Sequence, residues 1–346
     1  MPLPRPLTVT ALVCATALAL VGCGSSATTA GSSSTASVST QSFPVSITHA
    51  YGTTTITAKP QRVATVAWAN HEVPLALGVV PVGMSKATWG DDDGDGVLPW
   101  VEKKLNDLGA ATPVLFDETD GIDFEAVAET KPDVILAAYS GLTREDYDTL
   151  SKIAPTVAYP TIAWGTSVQD MITLNSTAMG MAAEGQKLIA SLDSTIKATF
   201  AANPTLAGKK VLFSYIDPKD LSKIGFYTAH DTRPGFLASA GMGNPSLVTE
   251  RSAATKAFYE TVSAEQADKF NDVDIFVTYG PADGSLLTAM QADPLLSKIP
   301  AVKRGSVVTL VDSTPLAASA NPSPLSIDWG LKEYVALFAA AAAKVS

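Results

Sequence analysis

"SVQDMITLNSTAMGMAAEGQKLIASLDSTIKATFA", residues 167–201, separates two halves of the chain that each alternate strand-like and helix-like runs. Apolar residues recur at Val168, Met171, Ile172, Met179, Ala182, Ile189, Leu192, Ile196 and Phe200, close to helical spacing. At ~1.5 Å per residue one helix over this stretch spans on the order of 50 Å, longer than a small lobe requires. The reading taken is a single stiff helix crossing from lobe to lobe. A break near Gly180 or Gly185 would give two helices instead.

Outward from this segment the pattern is α/β on both sides. "RVATVAW" (62–68), "VVPVGM" (79–84), "DVILAAY" (133–139) and "PTVAY" (155–159) are short, apolar and β-branched, as buried parallel strands tend to be. "NHEVPLALG", "LPWVEKKLNDLG" and "TREDYDTLSKIA" between them read as helices. After residue 201 the theme returns in "KKVLFSYI" (209–216), "DVDIFVTYG" (272–280) and "GSVVTLV" (305–311), closing on an apolar helix from about Leu325 to Val345. The fold class expected is two α/β lobes with mostly parallel sheets, residues 43–166 and 202–346, joined by the helix 167–201.

The N-terminus has one early charge, Arg5, and an apolar run from Leu7 to Val21, too short for a comfortable membrane span and suited to a signal peptide over residues 1–22. Residues 23–42 are almost all Ser, Thr, Ala and Gly and read as a flexible tether. The only cysteines are Cys14, inside the leader, and Cys23, so the remaining chain has no disulfide, thiol nucleophile or Cys-based metal site. Across the 346 residues, 34 acidic against 24 basic side chains give a net charge of −10, or −11 once Arg5 leaves with the leader. Such a surface repels phosphate backbones, and nucleic acid is not an expected partner.

Four segments in order, "AKPQRVATVAWANHEVPLALGVVPVG", "GIDFEAVAETKPDVILAAYSG", "YDTLSKIAPTVAY" and "YETVSAEQADKFNDVDIFVTYG", resemble the iron–siderophore, haem and cobalamin class of substrate-binding proteins of ABC transporters. The pattern is most similar to the ferric-siderophore branch. Leu20-Val21-Gly22-Cys23 resembles a lipobox, which implies cleavage before Cys23, lipidation of its thiol and anchoring to the outer face of the cytoplasmic membrane. The resemblance further implies two α/β lobes on one rigid helix, slight closure, a monomer, and iron held by the siderophore without a protein cofactor. It assigns Glu125 and Glu265 to docking on arginines of an ABC permease. Haem or cobalamin cargo, and a non-transport extracellular interaction protein, are the alternatives.

Ligands of open α/β folds bind at the C-terminal ends of strands. That rule selects Trp68, Asn70, Trp89 and Tyr139 from the first half, and Tyr227, Arg233 and Tyr279 from the second. Aromatic faces with a lone guanidinium suit a bulky planar anion, on which the rings stack while the guanidinium offers charge-assisted hydrogen bonds. The thin basic complement points away from strongly anionic catecholates, toward a hydroxamate or mixed siderophore. Haem would favour an axial ligand from His71, His230 or Tyr227. No Walker loop, G-x-S-x-G, zincin pair or G-x-G-x-x-G occurs, so no enzyme is expected.

"DDDGDGVLPWVE" (91–102) satisfies a calcium-loop pattern with Asp91, Asp93, Asp95, Gly96 and Glu102. Pro99 at the ninth position and the missing incoming helix depart from it. Calcium bracing the cleft mouth, or a solvated acidic rim, are both open at this point.

Overall fold

The computed structural model describes residues 42–345; the leader, Cys23 and nearly all of the tether lie outside them. A hairpin of β1 (Val45–His49) and β2 (Gly52–Ile56) opens the folded chain. The first lobe is built on β3 (Val63–Thr65), β4 (Gly83–Ser85), β5 (Val114–Phe116), β6 (Val134–Leu136) and β7 (Thr156–Val157). Their order is β5-β4-β3-β6-β7 and every pairing is parallel. Helices α1 (Glu72–Ala76), α2 (Pro99–Asp107), α3 (Phe124–Glu129) and α4 (Arg144–Ile153) connect them. The signals are local: Pro99 opens α2, whose first turn lacks a use for its N–H, and Thr143 with Asp146 forms a capping box on α4.

The segment 167–201 is not one helix. It forms α5 (Val168–Ala178) and α6 (Ala182–Ala201), and the chain reverses between them at Gly180, whose φ is +70°. A left-handed glycine after the last turn ends a helix at no steric cost, which periodicity alone cannot reveal. The two helices run back to back. Gln169 Nε2 donates to Asp193 at 2.9 Å, while a Cβ on Gly185 would overlap Ser176. Contacting pairs thus close in on Gly180 from both sides, as in an antiparallel αα-hairpin. α5 packs on β1, α1 and β6 and belongs to the first lobe, so the connector is α6 alone, 20 residues and about 30 Å.

The second lobe carries β8 (Val211–Asp217), β9 (Asp220–Tyr227), β10 (Tyr259–Ser263), β11 (Ile275–Gly280) and β12 (Val307–Val311) in the order β10-β9-β8-β11-β12. Its β8–β11–β12 half is parallel and its β8–β9–β10 half antiparallel. Around it lie α7 (Thr232–Ser239), α8 (Ser246–Ala254), α9 (Ser285–Ala292), α10 (Pro300–Arg304), α11 (Pro315–Ser319) and α12 (Ser326–Ala342).

One apolar core runs through both lobes. It joins Val63, Val134 and Leu136 of the first sheet to Val211, Phe213 and Val277 of the second through Leu192, Ile196 and Phe200 of α6. Each such side chain contributes roughly 1.5–3 kcal/mol on burial, so separating the lobes exposes a shared interior. The end of the chain also reaches back. Ala318 sits in the first lobe's core beside Leu75, Met84 and Trp100, and the Trp329 ring packs 5.0 Å from that of Trp100.

Candidate ligand-binding site

A cleft of about 320 Å³ lies between the lobes at the C-terminal ends of the strands. Trp68 and Trp89 line it from the first lobe; Tyr227, Arg233 and Tyr279 line it from the second. Sequence reasoning missed Tyr215, Asp312 and Asn321, which also line it. Tyr215 stands inside a strand-like run with nothing to mark its side as the open one, yet it is 41% exposed. Asp312 and Asn321 follow the last strand, where the strand-end rule would have found them.

The two walls meet. The rings of Trp89 and Tyr279 touch edge to face with centroids 5.5 Å apart, and Gly90 N–H donates to Ser313 Oγ at 3.4 Å. Tyr139 is buried below the cleft floor, its hydroxyl within 3.1 Å of Thr232 Oγ1 and of Asn321 Oδ1. It holds Asn321 in place across the lobe boundary and does not itself line the cavity. Burial pushes the Tyr139 and Tyr227 phenols up to about 12, so both stay protonated at neutral pH.

Asn70 requires a correction. It is fully buried, and its amide donates to Val66 O and Tyr139 O, both at 2.8 Å, and accepts from Tyr139 N at 3.1 Å. An amide so committed to backbone cannot turn to a ligand. What it does is tie the Trp68 loop to the end of β6. Ala67 and Ala69, on either side of Trp68, have φ of +61° and +62°, a conformation that costs an alanine about 1 kcal/mol or more each. The carboxylate of Glu118 accepts the Ala67 N–H at 2.9 Å and helps to hold it there. Burial pushes the Glu118 carboxyl up to about 7, against the hydrogen bonds from Ala67 and Ser85.

Glu72, on α1 just after this loop, is a fully buried carboxylate. Glu72 accepts Trp100 Nε1–H at 2.8 Å and Leu325 N–H at 2.9 Å, and burial raises it to about 7 while these donors pull it down. Neither carboxylate was recognisable from the sequence, since nothing in "NHE" or "FDE" announces burial. Trp164 is a further unpredicted residue: it holds a left-handed φ of +60°, rare for a bulky side chain, and packs edge-on to Tyr139 at 5.4 Å.

Arg233 opens α7 and is held on three sides. Its Nε and Nη2 each lie 2.8 Å from the Asp231 carboxylate, and its guanidinium carbon stands 3.7 Å from the Tyr227 ring centre. Burial alone would depress its charge, but Asp231 raises it well above the ordinary arginine range. Nη1 also reaches the Tyr279 hydroxyl at 3.5 Å, and the Nη hydrogens left over are the cleft's fixed donors.

Neither histidine suggested for haem lines the cleft. His71 is buried in a small separate cavity under Trp68, pushed down to about 4 by burial, with Nδ1 unpartnered among the described residues. His230 places Nε2 2.8 Å from both Ser252 O and Thr255 O, and lines another cavity. Tyr227 remains, and Arg233 covers one face of its ring. A larger groove of about 690 Å³ lies at the other ends of the strands, where Leu206 and Ala207 lead into β8.

Glu125 and Glu265 stand exposed in the first turns of α3 and of the 3-10 turn Ala264–Phe270, and neither is ion-paired among the described residues. In the acidic loop the carboxylates of Asp91, Asp93 and Asp95 gather within 4.8 Å of one another. Glu102 is not among them: it is exposed on α2, outside the cluster. The aspartates also accept their own loop's N–H groups, including Gly96 N on Asp91 at 2.7 Å and Val97 N on Asp95 at 2.8 Å.

The geometry has close counterparts. Residues 63–314 match the model of a family described as "Periplasmic binding protein". The chain superposes on PiaA of Streptococcus pneumoniae TIGR4, solved in complex with ferrichrome, with a TM-score of 0.84 and 46% identity, covering 87% of this chain and all of that one. A probable siderophore-binding lipoprotein of Bacillus subtilis, YfiY, is 33% identical over 155 residues; the match spans 43% of each chain, less than half of that relative. The iron(3+)-hydroxamate-binding protein YxeB of the same organism is 24% identical over 263 residues, 74% of each chain.

Proposed function

The chain belongs to the periplasmic binding protein family, and from that premise we propose that it captures a ferric siderophore of the hydroxamate type outside the cytoplasmic membrane and passes it to an ABC importer. The observation that carries the reading is the cleft: four aromatic walls, Trp68, Trp89, Tyr215 and Tyr279, around a guanidinium fixed by Asp231 and Tyr227. Flat rings pack on the organic shell of a chelate, while oriented N–H groups meet the hydroxamate oxygens at its rim. PiaA, the 46% identical relative, was crystallised with ferrichrome, a chelate of this kind. Iron stays inside its chelator, and the protein supplies no ligand to it. Because both lobes share one core, closure over the cargo is slight.

In the same reading Cys23 carries the lipid, the protein acts as a monomer, and Glu125 and Glu265, one on each lobe, steer and orient docking on basic residues of the permease. Calcium at Asp91, Asp93 and Asp95 would brace the loop after Trp89.

The test is a tryptophan-fluorescence titration of residues 43–346 with a ferric hydroxamate, a ferric catecholate, haem and cobalamin. Trp68 and Trp89 put two reporters in the cleft wall. Saturable quenching by the ferric hydroxamate, absent with its iron-free form, is expected. A response to haem or cobalamin alone would move the cargo, and silence from all four would end the transport reading.

A further inference from the structure

We propose that Asp231 and Asp312 make the cleft a charge filter that admits electroneutral and cationic ferric hydroxamates and turns away anionic ferric chelates. The proposal rests on the siderophore reading above and adds the rule by which cargo is chosen.

Among the described residues Arg233 is the only basic one lining the cleft, and its side chain is 16% exposed. The Asp231 side chain is fully buried and meets it through two parallel hydrogen bonds of 2.8 Å. Such a bidentate pair cancels the guanidinium's charge where it sits and leaves only directed donors facing the cavity. Arg233 therefore offers hydrogen bonds without offering net positive charge.

Asp312 stands directly after β12 and lines the same cavity. It forms no ion pair among the described residues. Although exposed, it is partly desolvated at the cleft, which raises its carboxyl. With Arg233 matched by Asp231, Asp312 leaves the lining one negative charge in excess.

The chemistry of ferric chelates turns that excess into selection. Three hydroxamates on iron(III) give a neutral complex, three catecholates give a trianion, and some linear hydroxamates add a free ammonium arm. A trianion would meet an unpaired carboxylate and a cation already spent. A neutral chelate meets donors alone, and an ammonium arm finds Asp312. Unit charges several ångströms apart at a partly wet surface change affinity by on the order of tenfold.

The experiment compares three ferric probes on the wild type, Asp312→Asn and Asp312→Lys: a linear trihydroxamate with a free ammonium arm, the same chelate N-acetylated, and a tris-catecholate. Asp312 is exposed, so the fold is expected to survive; thermal unfolding checks it. In the wild type the ammonium form binds more tightly than its acetylated form, and both far more tightly than the tris-catecholate. Asp312→Asn cuts the ammonium-to-acetyl affinity ratio toward one, a fall of about fivefold to tenfold. Asp312→Lys lifts tris-catecholate binding by at least as much. The wild-type preference shrinks in high salt. Unchanged ratios in both variants would overturn the filter while leaving siderophore capture intact. Failure of the wild type to bind any ferric chelate would instead overturn the underlying reading.

Discussion

The two lobes put aromatic side chains into one cleft by different means. In the first lobe the strands β3, β4 and β6 are three residues long, and Trp68 and Trp89 sit on loops beyond them. The Trp68 loop is held by polar side chains, Asn70 on the backbone of Val66 and Tyr139 and half-buried Glu118 on Ala67, while buried Glu72 ties Trp100 and Leu325 to α1. In the second lobe β8, β9 and β11 are six to eight residues long, and Tyr215, Tyr227 and Tyr279 belong to the strands themselves. Backbone ladders fix their positions. A loop held by a few carboxylates depends on single side chains; a strand residue shares its support with the whole sheet.

Removing a clamp is the strongest way to break this contrast. Glu72→Ala strands the Trp100 and Leu325 N–H groups in the interior and is expected to cost about 2–4 kcal/mol, read as a lowered urea midpoint. A loss below about 0.5 kcal/mol would mean that the first lobe does not lean on its carboxylates.

The next effect is pH. Glu118 has a folded-state pKa near 7, above the 4.5 of an unperturbed glutamate. The folded state therefore binds more protons between those values, and stability falls as pH rises from about 4.5 to 7. The contribution is at most about 3 kcal/mol, absent below that window and fully felt above it. Unfolding at pH 5 and 7.5 should show a slope that Glu118→Gln reduces; an equal slope in both proteins contradicts the assignment.

Binding separates the lobes more gently. Glu118→Ala frees the strained backbone beside Trp68 and should weaken ferric hydroxamate binding about tenfold, some 1.4 kcal/mol. Glu118→Gln, which can still accept the Ala67 N–H, should recover most of it. Tyr227→Phe keeps both ring and strand and should cost less than threefold by the same titration. Equal losses in the two lobes would erase the distinction.

The smallest effect concerns Asp91, Asp93 and Asp95. Calcium added after chelation should raise the melting temperature with the logarithm of free calcium, and Asp93→Asn should blunt the rise. No shift would leave the loop capped by its own N–H groups alone.

What was legible in the sequence follows the same division. Strand positions showed in the runs of Val, Ile and Phe, and the strand-end rule then led to Trp68, Trp89, Tyr227, Arg233 and Tyr279. The antiparallel β9–β10 edge and the opening hairpin did not show, because "DLSKIGFY" and "GTTTI" are too polar to resemble buried strands. The chain reversal at Gly180 escaped because Met179 and Met181 keep an apolar character on both sides of it. Asn70 misled for a related reason: whether a polar side chain faces solvent or backbone depends on partners 69 to 105 residues away.

The strap from the end of the chain bears on the order of manufacture. A polypeptide leaves the ribosome N-terminus first, so Glu72 waits for Leu325, 253 positions later, and Trp100 waits for Trp329. Until those partners emerge the first lobe has its strands but lacks its final contacts, and contacts so distant in sequence form slowly. The two halves cannot be cut apart near residue 202 and expected to fold alone, because α11 and α12 also wall the first lobe.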